Sequence, residues 1–391
     1  MDPTPPTSGS GNSTSLKAET PTTVESPLRN VSSRVGYFRW VICALLLFGT
    51  TKNYKDRQVL GILKNTLQHD FGWNEIDYGN LVSAFQIAYA VGMLLVGRLI
   101  DKLGTRLGYA LAMVFWSLAS MGTALANSLS TFALSRYALG FGEAAVFPAS
   151  IKAVAEWFPK KERALATGIF NAGTNVGAII TPLIVPWIVM HWGWKAAFIG
   201  IGALGFVWLV FWLVIYRKPG EHPKVSRAEL EYISSGLTEP TGKISWGSLI
   251  PMRQTWAFVA GKFLTDPVWW FYLFWVPGFL QTKHGLALTG IGIPVMVIYV
   301  ISDVGSVAGG WLSSSLIKRG RTVNAARKTA MLICAIGGFF IATVVGHVLQ
   351  WTGSYMIPFV IAGAAYLVAL AVIQVLAPTL EPAGIDGAAQ S

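Results

Sequence analysis

"GRLIDKLGTR", residues 97–106, sets Arg98, Asp101, Lys102 and Arg106 with two glycines between two apolar runs. Before it lies "LVSAFQIAYAVGMLLV" (81–96) and after it "LGYALAMVFWSLASMG" (107–122). A helix needs about 20 largely apolar residues to cross a hydrocarbon core about 30 Å thick, and each run with its flanks is that long. The stretch therefore reads as a tight basic turn joining two membrane-crossing helices. Its glycines let the helices close up, and Asp101 can cap or pair where the turn meets a helix end.

Working outward, apolar runs near 40–63, 78–99, 107–126, 131–154, 164–189, 194–216, 255–279, 289–316, 329–350 and 354–377 predict ten spans, six before and four after one long loop. The fold class expected is all-α integral membrane. The connections sort by charge. Arg98, Lys102 and Arg106 follow the second span; Lys160, Lys161 and Arg163 the fourth; Lys318, Arg319, Arg321, Arg327 and Lys328 the eighth. Alternate connections carry little beyond Lys64, Lys195 and Lys283, so the basic loops and both termini are expected on the cytoplasmic side.

Composition agrees. The 391 residues are 53% hydrophobic and only 13% charged, beyond what a soluble domain tolerates. The net charge of +11 does not argue for nucleic acid, because the basic residues are spread between apolar runs instead of forming one patch. Cys43 and Cys334 both fall inside apolar runs, which fits packing and not a disulfide or metal framework. No metal-ligand cluster and no G-x-S-x-G is present, and the five histidines are scattered, so neither a metal, a cofactor nor an enzyme is expected. The expected organisation is a disordered cytoplasmic segment 1–34, a six-helix bundle 35–216, a cytoplasmic linker 217–254, a shortened bundle 255–380 and a tail 381–391. The first long run begins near Trp40 without a cleavage site after it, so no signal peptide is expected. Within the linker, "SRAELEYI" (226–233) reads as a short capped helix.

The turn fits the G-x-x-x-D-x-x-G-x-[RK] signature of the major facilitator superfamily, through Gly97, Asp101, Gly104 and Arg106, with Lys102 inside it. "GWLSSSLIKRG" (310–320) reads as a degenerate second copy, with Ser314 where the aspartate belongs. "RWVICALLLFGTTKNYKDRQV", "SRYALGFGEAAVFPASIKAVAEWFPKKERA", "TGIFNAGTNVGAIITP" and "LTDPVWWFYLFWVPGFL" extend the resemblance to the anion:cation symporter branch, and most closely to bacterial hexuronate transporters. That resemblance implies proton-coupled uptake of glucuronate or galacturonate across the inner (plasma) membrane, with H+ as coupling ion, a small organic anion as substrate and no cofactor. It also implies twelve helices where ten are read. "KTAMLICAIGGFFIATVVGHVLQ" (328–350) resembles the start of the family's ninth helix joined to the end of its eleventh. A further departure is Lys52 and Lys55, where the family usually has apolar residues.

Charges at depth mark candidate sites, because each costs about 2.5–3.5 kcal/mol at a helix centre. In "TKNYKDRQVL" (51–60), Arg57 offers a planar fork suited to a carboxylate, with Tyr54 and Asn53 on its side. Lys52 lies four residues before Asp56 and is expected to keep it a carboxylate. In the fourth span Arg136, Gly140, Glu143 and Phe147 share a face. The resemblance gives Arg136 to the substrate carboxylate or a gate and Glu143, with Asp56, to proton coupling. Ser83, Gln86 and Tyr89 in the second span, Asn171, Thr174 and Asn175 in the fifth, and Tyr299, Ser302, Asp303, Ser306 and Gly310 in the eighth form polar stripes suited to a polyhydroxylated solute. Lys262, Asp266, Trp269 and Trp270 add an ion pair and an aromatic face for a sugar ring. The substrate contacts expected are Arg57, Tyr54, Arg136, Tyr89, Gln86, Asn175 and Trp270. Two other readings stand beside this one. One is a membrane-inserted chain that no longer transports because a cavity wall is missing, and the other a symporter for another organic anion such as an aldonate.

Overall fold

A computed structural model describes residues 36–235, 250–350 and 356–378, with Gly247. The expectations for 1–34, for part of the 217–254 linker and for 381–391 lie outside the described residues. What is described is helical throughout, with no strand.

Helix α1 (Phe38–Ile62) covers the first apolar run and the charged stretch, and α2 (Lys64–Phe71) continues from it to a left-handed stop at Gly72. Asn74 then starts α3 (Glu75–Leu103): its side chain accepts from the Ile76 and Asp77 amides, and Asp77 returns the bond in a capping box. The basic turn is one residue wide. Gly104, at φ 78°, separates α3 from α4 (Thr105–Gly122), a conformation that a side chain would strain.

The fourth predicted span is two helices, α5 (Leu129–Glu143) and α6 (Val146–Trp157). Pro148 accounts for the break, since it has no N–H to give the Ala144 carbonyl one turn back and its ring crowds that oxygen. Conversely, spans five and six are joined in α7 (Lys160–Ile215), whose two arms meet at Gly193, φ 77°. The linker helix α8 (Arg227–Ser234) is capped as expected by Ser226, whose hydroxyl accepts from the Glu229 amide at 3.1 Å. The seventh span breaks before Pro277 into α9 (Arg253–Phe274) and α10 (Val276–His284). Helices α11 (Gly292–Lys318), α12 (Val323–Gln350) and α13 (Met356–Leu376) follow. The stretch resembling two fused helices is thus one unbroken helix. Among the described residues, Glu75–Leu103, Thr105–Leu125, Leu129–Trp157 and Lys160–Ile215 are long and apolar enough to cross a membrane by themselves.

Helix α1 lies along both arms of α7, α3 against α5, and α4 against α5 and α7. Their core is aromatic at one end, around Tyr109, Trp116, Trp157, Trp208 and Trp212. Trp208 is anchored there by its indole N–H, which donates to the Leu45 carbonyl at 2.8 Å. A second core at the other end gathers Val59, Leu63, Tyr78, Phe132 and Phe198 with Ile291, so it joins the first six spans to the later helices. At that end the Tyr78 hydroxyl donates to Phe274 O at 2.8 Å, Gln281 Nε2 to Ile62 O at 3.3 Å and Asn65 Nδ2 to Thr282 Oγ1 at 3.2 Å. In the later part, α9 packs on α13, α12 on α13 and α11, and α11 on α7.

Candidate functional site

The charged stretch of α1 is buried: Lys52, Asn53, Asp56, Arg57 and Gln58 are each under 5% exposed. Close packing makes this possible. A Cβ on Gly140 of α5 would collide with the Phe85 carbonyl of α3, and one on Gly173 would lie 2.5 Å from Leu47 O. Glycine at these points brings α3 onto α5 and α7 onto α1, and closes the charges off from lipid.

Two ion pairs result. Arg57 Nε donates to Glu143 Oε2 at 2.6 Å, tying α1 to α5. Lys52 Nζ lies 2.6 Å from Asp56 Oδ2 within α1, the pairing expected from the four-residue spacing. Helix α4 completes the second pair: Lys52 Nζ donates to Ser117 Oγ at 3.0 Å and Ser120 Oγ donates to Asp56 Oδ1 at 2.8 Å. Sequence reading missed Ser117 and Ser120. Their signal was two hydroxyls at i,i+3 inside an otherwise apolar run.

Arg57 is ringed by aromatics, with its guanidinium 4.5 Å from the Tyr89 centroid, 4.9 Å from Tyr54, 5.2 Å from Phe85 and 5.3 Å from Trp270. Arg136 is completely buried against Phe85, 5.0 Å from its centroid, and among the described residues none of its three guanidinium nitrogens has a hydrogen-bond partner. Glu143 Oε1 is likewise without one. Among the fully buried groups of this cluster, three cations (Lys52, Arg57 and Arg136) therefore face two carboxylates (Asp56 and Glu143), leaving one positive charge in excess.

The structure thus brings together Arg57, Tyr54, Tyr89, Trp270, Arg136, Glu143 and Asp56. Gln86 is half-buried one residue beyond Phe85 and makes no hydrogen bond among the described residues. The Asn175 amide oxygen accepts from Thr174 at 3.3 Å. Ser83, Asn171, Ser302 and Gly310 are exposed and leave their stripes, because the faces they occupy turn away from the bundle. Tyr299 is buried 5.6 Å from the Trp269 ring, and Trp269 in turn meets Tyr54, so Trp269 and Trp270 touch different partners. The side chains of Asp303 and Ser306 lie outside the described residues. Lys262 and Asp266 pair at 2.6 Å but are about half exposed. At the basic turn, Asp101 accepts from Lys152 of α6 at 2.9 Å, and Arg106 donates to the Leu213 carbonyl.

Residues 31–390 match the profile of the Major Facilitator Superfamily. The chain belongs to that superfamily. Among curated relatives, the hexuronate transporter of Escherichia coli (strain K12) is 35% identical over 279 residues, which are 70% of this chain and 65% of that protein. This chain thus covers just under two thirds of that relative. The galacturonate transporter of Dickeya chrysanthemi is 34% identical over 279 residues, 70% of this chain and 81% of that one. A bacterial homolog of the human lysosomal transporter Spinster, solved inward-facing and unoccupied, aligns with TM-score 0.62 at 19% identity, covering 88% of this chain and 76% of its own. The xylose transporter XylE from E. coli, inward open, aligns at TM-score 0.58 and 14% identity, covering 86% and 80%. These two speak to the fold alone. This superfamily member is thus a multi-pass membrane protein of a transporter family, not of an enzyme family.

Proposed function

We propose that the chain carries a sugar-acid monoanion, a hexuronate such as glucuronate or galacturonate, by proton symport across the bacterial inner membrane. The observation that carries this reading is the single excess positive charge, seated on Arg136 with no partner for its guanidinium. A buried cation without a partner is costly, and an incoming carboxylate relieves it. The rings of Tyr54, Tyr89 and Trp270 around Arg57 give the C–H faces of a sugar a surface to lie on, while Gln86 and Asn175 hold hydroxyls. Kinship with hexuronate and galacturonate transporters supports the substrate class.

Coupling follows from Glu143. Its Oε1 has room for a proton, and protonation weakens the grip of its other oxygen on Arg57, freeing that fork for the substrate carboxylate. Proton and anion then favour each other's binding by the same factor, as linkage requires. In this reading ten helices cross the bilayer, six in one bundle and four in a shortened one, with both termini and the 217–254 linker in the cytoplasm. The two bundles rock about the charge cluster, and the joined end of α1, α3, α9 and α10 is the closed outer gate.

The test is uptake of labelled glucuronate into proteoliposomes with an inward proton gradient and with that gradient collapsed. Gradient-driven uptake that vanishes in Arg136→Ala and Glu143→Gln supports the symporter. Uptake absent from protein shown to be folded and inserted overturns it, and leaves a chain whose shortened second bundle no longer completes the carrier.

A further inference from the structure

Lys52 has no part in the reaction proposed above, yet the fold buries it, with one flank of its side chain bordering the cavity that Lys55 lines. Nζ lies 2.6 Å from Asp56 Oδ2 and 3.0 Å from Ser117 Oγ, and 5.3 Å from the centroid of the Trp116 ring. On another side stands Gly205 of α7, where a Cβ would sit 3.1 Å from Nζ and would collide with Ser117 Oγ. The second Asp56 oxygen is fixed by Ser120. A carboxylate, a hydroxyl and an aromatic face around a space the size of one ammonium group are the donors that hold a free monovalent cation. The other charged groups near this space are Lys55, half-buried on α1 and within electrostatic reach of Asp56, and Arg136 and Glu143 on α5, which belong to the neighbouring cluster.

We propose that Asp56, Ser117, Trp116 and Gly205 form a monovalent-cation cage whose ion the chain supplies itself: Lys52 is a tethered occupant, and without it the cage takes up a free ion of ammonium size. Asp56 then has a permanent counter-ion. If the symport reading holds, on which this consequence rests, Asp56 is withdrawn from the proton cycle and Glu143 is left as its one exchangeable carboxylate, giving one proton per anion.

The cage itself is tested without transport. Purified wild type, Lys52→Ala and Lys52→Ala/Asp56→Asn are melted in nanodiscs in choline chloride, then in ammonium, potassium or sodium chloride at equal ionic strength. The expected result is that Lys52→Ala melts below wild type in choline and regains about 2–4 °C or more in ammonium or potassium, as ligand binding to the folded state requires, while wild type and the double variant do not move. Three results overturn the proposal: Lys52→Ala responding no more than wild type, the double variant responding equally, or Lys52→Ala unfolding in every salt while the double variant folds. Should neither variant fold, Lys52→Gln is read by the same criteria. A carrier that fails to move glucuronate leaves this result untouched.

Discussion

Lys55 sits three residues beyond Lys52 and lines the same cavity, but among the described residues it makes no ion pair. It is half-buried in this cavity of about 400 Å³, whose other walls are Leu45, Phe48, Thr51, Leu204, Val207, Trp208 and Phe211, where α1 meets α7. No carboxylate lines that cavity. A lysine so placed keeps its stem on apolar surface and reaches toward the interface with its head, which lowers but does not remove the insertion cost of about 2.5–3.5 kcal/mol. Lys55→Leu is therefore expected to favour insertion of the first span by about 1–3 kcal/mol on the same scale and to leave glucuronate uptake unchanged. Loss of uptake in that variant, measured beside its insertion efficiency, would instead make Lys55 a substrate contact. The pairing of Lys52 with Asp56 was legible from their four-residue spacing. The closing of Arg57 onto Glu143 was not, because the two lie 86 residues apart and only the approach of α5 to α1 decides it.

Among the elements, the contact of α3 with α5 depends on Gly140 meeting the Phe85 carbonyl. Gly140→Val forces the helices apart at the level of Arg136 and should cost about 1–3 kcal/mol, read as a lowered Tm in nanodiscs. The linker helix α8 makes a different contact. Arg39 at the start of α1 meets Glu162 at 2.8 Å and Glu229 at 3.3 Å, and Tyr232 donates to Glu162 at 2.8 Å. Beside them His222 packs its ring 4.2 Å from Phe38 and accepts from the Lys224 amide at Nδ1, so the neutral ring donates from Nε2 to Ile215 O. Burial, helped by the charges of Arg217 and Lys224, holds His222 below its ordinary value of 6.5. The unfolded or undocked segment therefore binds the proton first. Docking is at full strength above pH 6.5 and weakens as pH falls through and below that value, until the docked ring protonates as well. Protection of the 222–234 amides against hydrogen exchange, taken relative to the intrinsic rate at each pH, is expected to fall between pH 7 and about 5.5, and His222→Gln to flatten that dependence. The capped helix α8 was legible from Ser226 and its spacing to Glu229. The break between α5 and α6 had a signal as well, Pro148, but inside a long apolar run the hydrophobic pattern hides it.

For the whole molecule, the balance of charge sets selectivity. While Glu143 is ionised, one excess cation suits one carboxylate, and a dicarboxylate such as glucarate brings a second charge that nothing meets until Glu143 protonates and releases Arg57. At alkaline pH on both sides of the membrane, competition against labelled glucuronate is therefore expected to be at least about tenfold weaker for glucarate than for galacturonate, a difference of about 1.4 kcal/mol. Equal competition would place another cation in the path, and the basic loop residues would be the next to examine. The all-helical character and the tight basic turn at 97–106 could be read from apolar runs and charge alternation, since the bilayer favours both. Which polar stripes face inward could not, because Ser83, Asn171 and Ser302 satisfy the same periodicity as Tyr89 and Tyr299 and only packing separates them.

Gly205 also constrains the substitutions open to this protein. A side chain at position 205 would displace the Ser117 hydroxyl and crowd the Lys52 ammonium, so the hydroxyl and the lysine would both have to shift. A lysine at 52 is therefore most easily accommodated where 205 is glycine, and a substitution at either position is felt at the other.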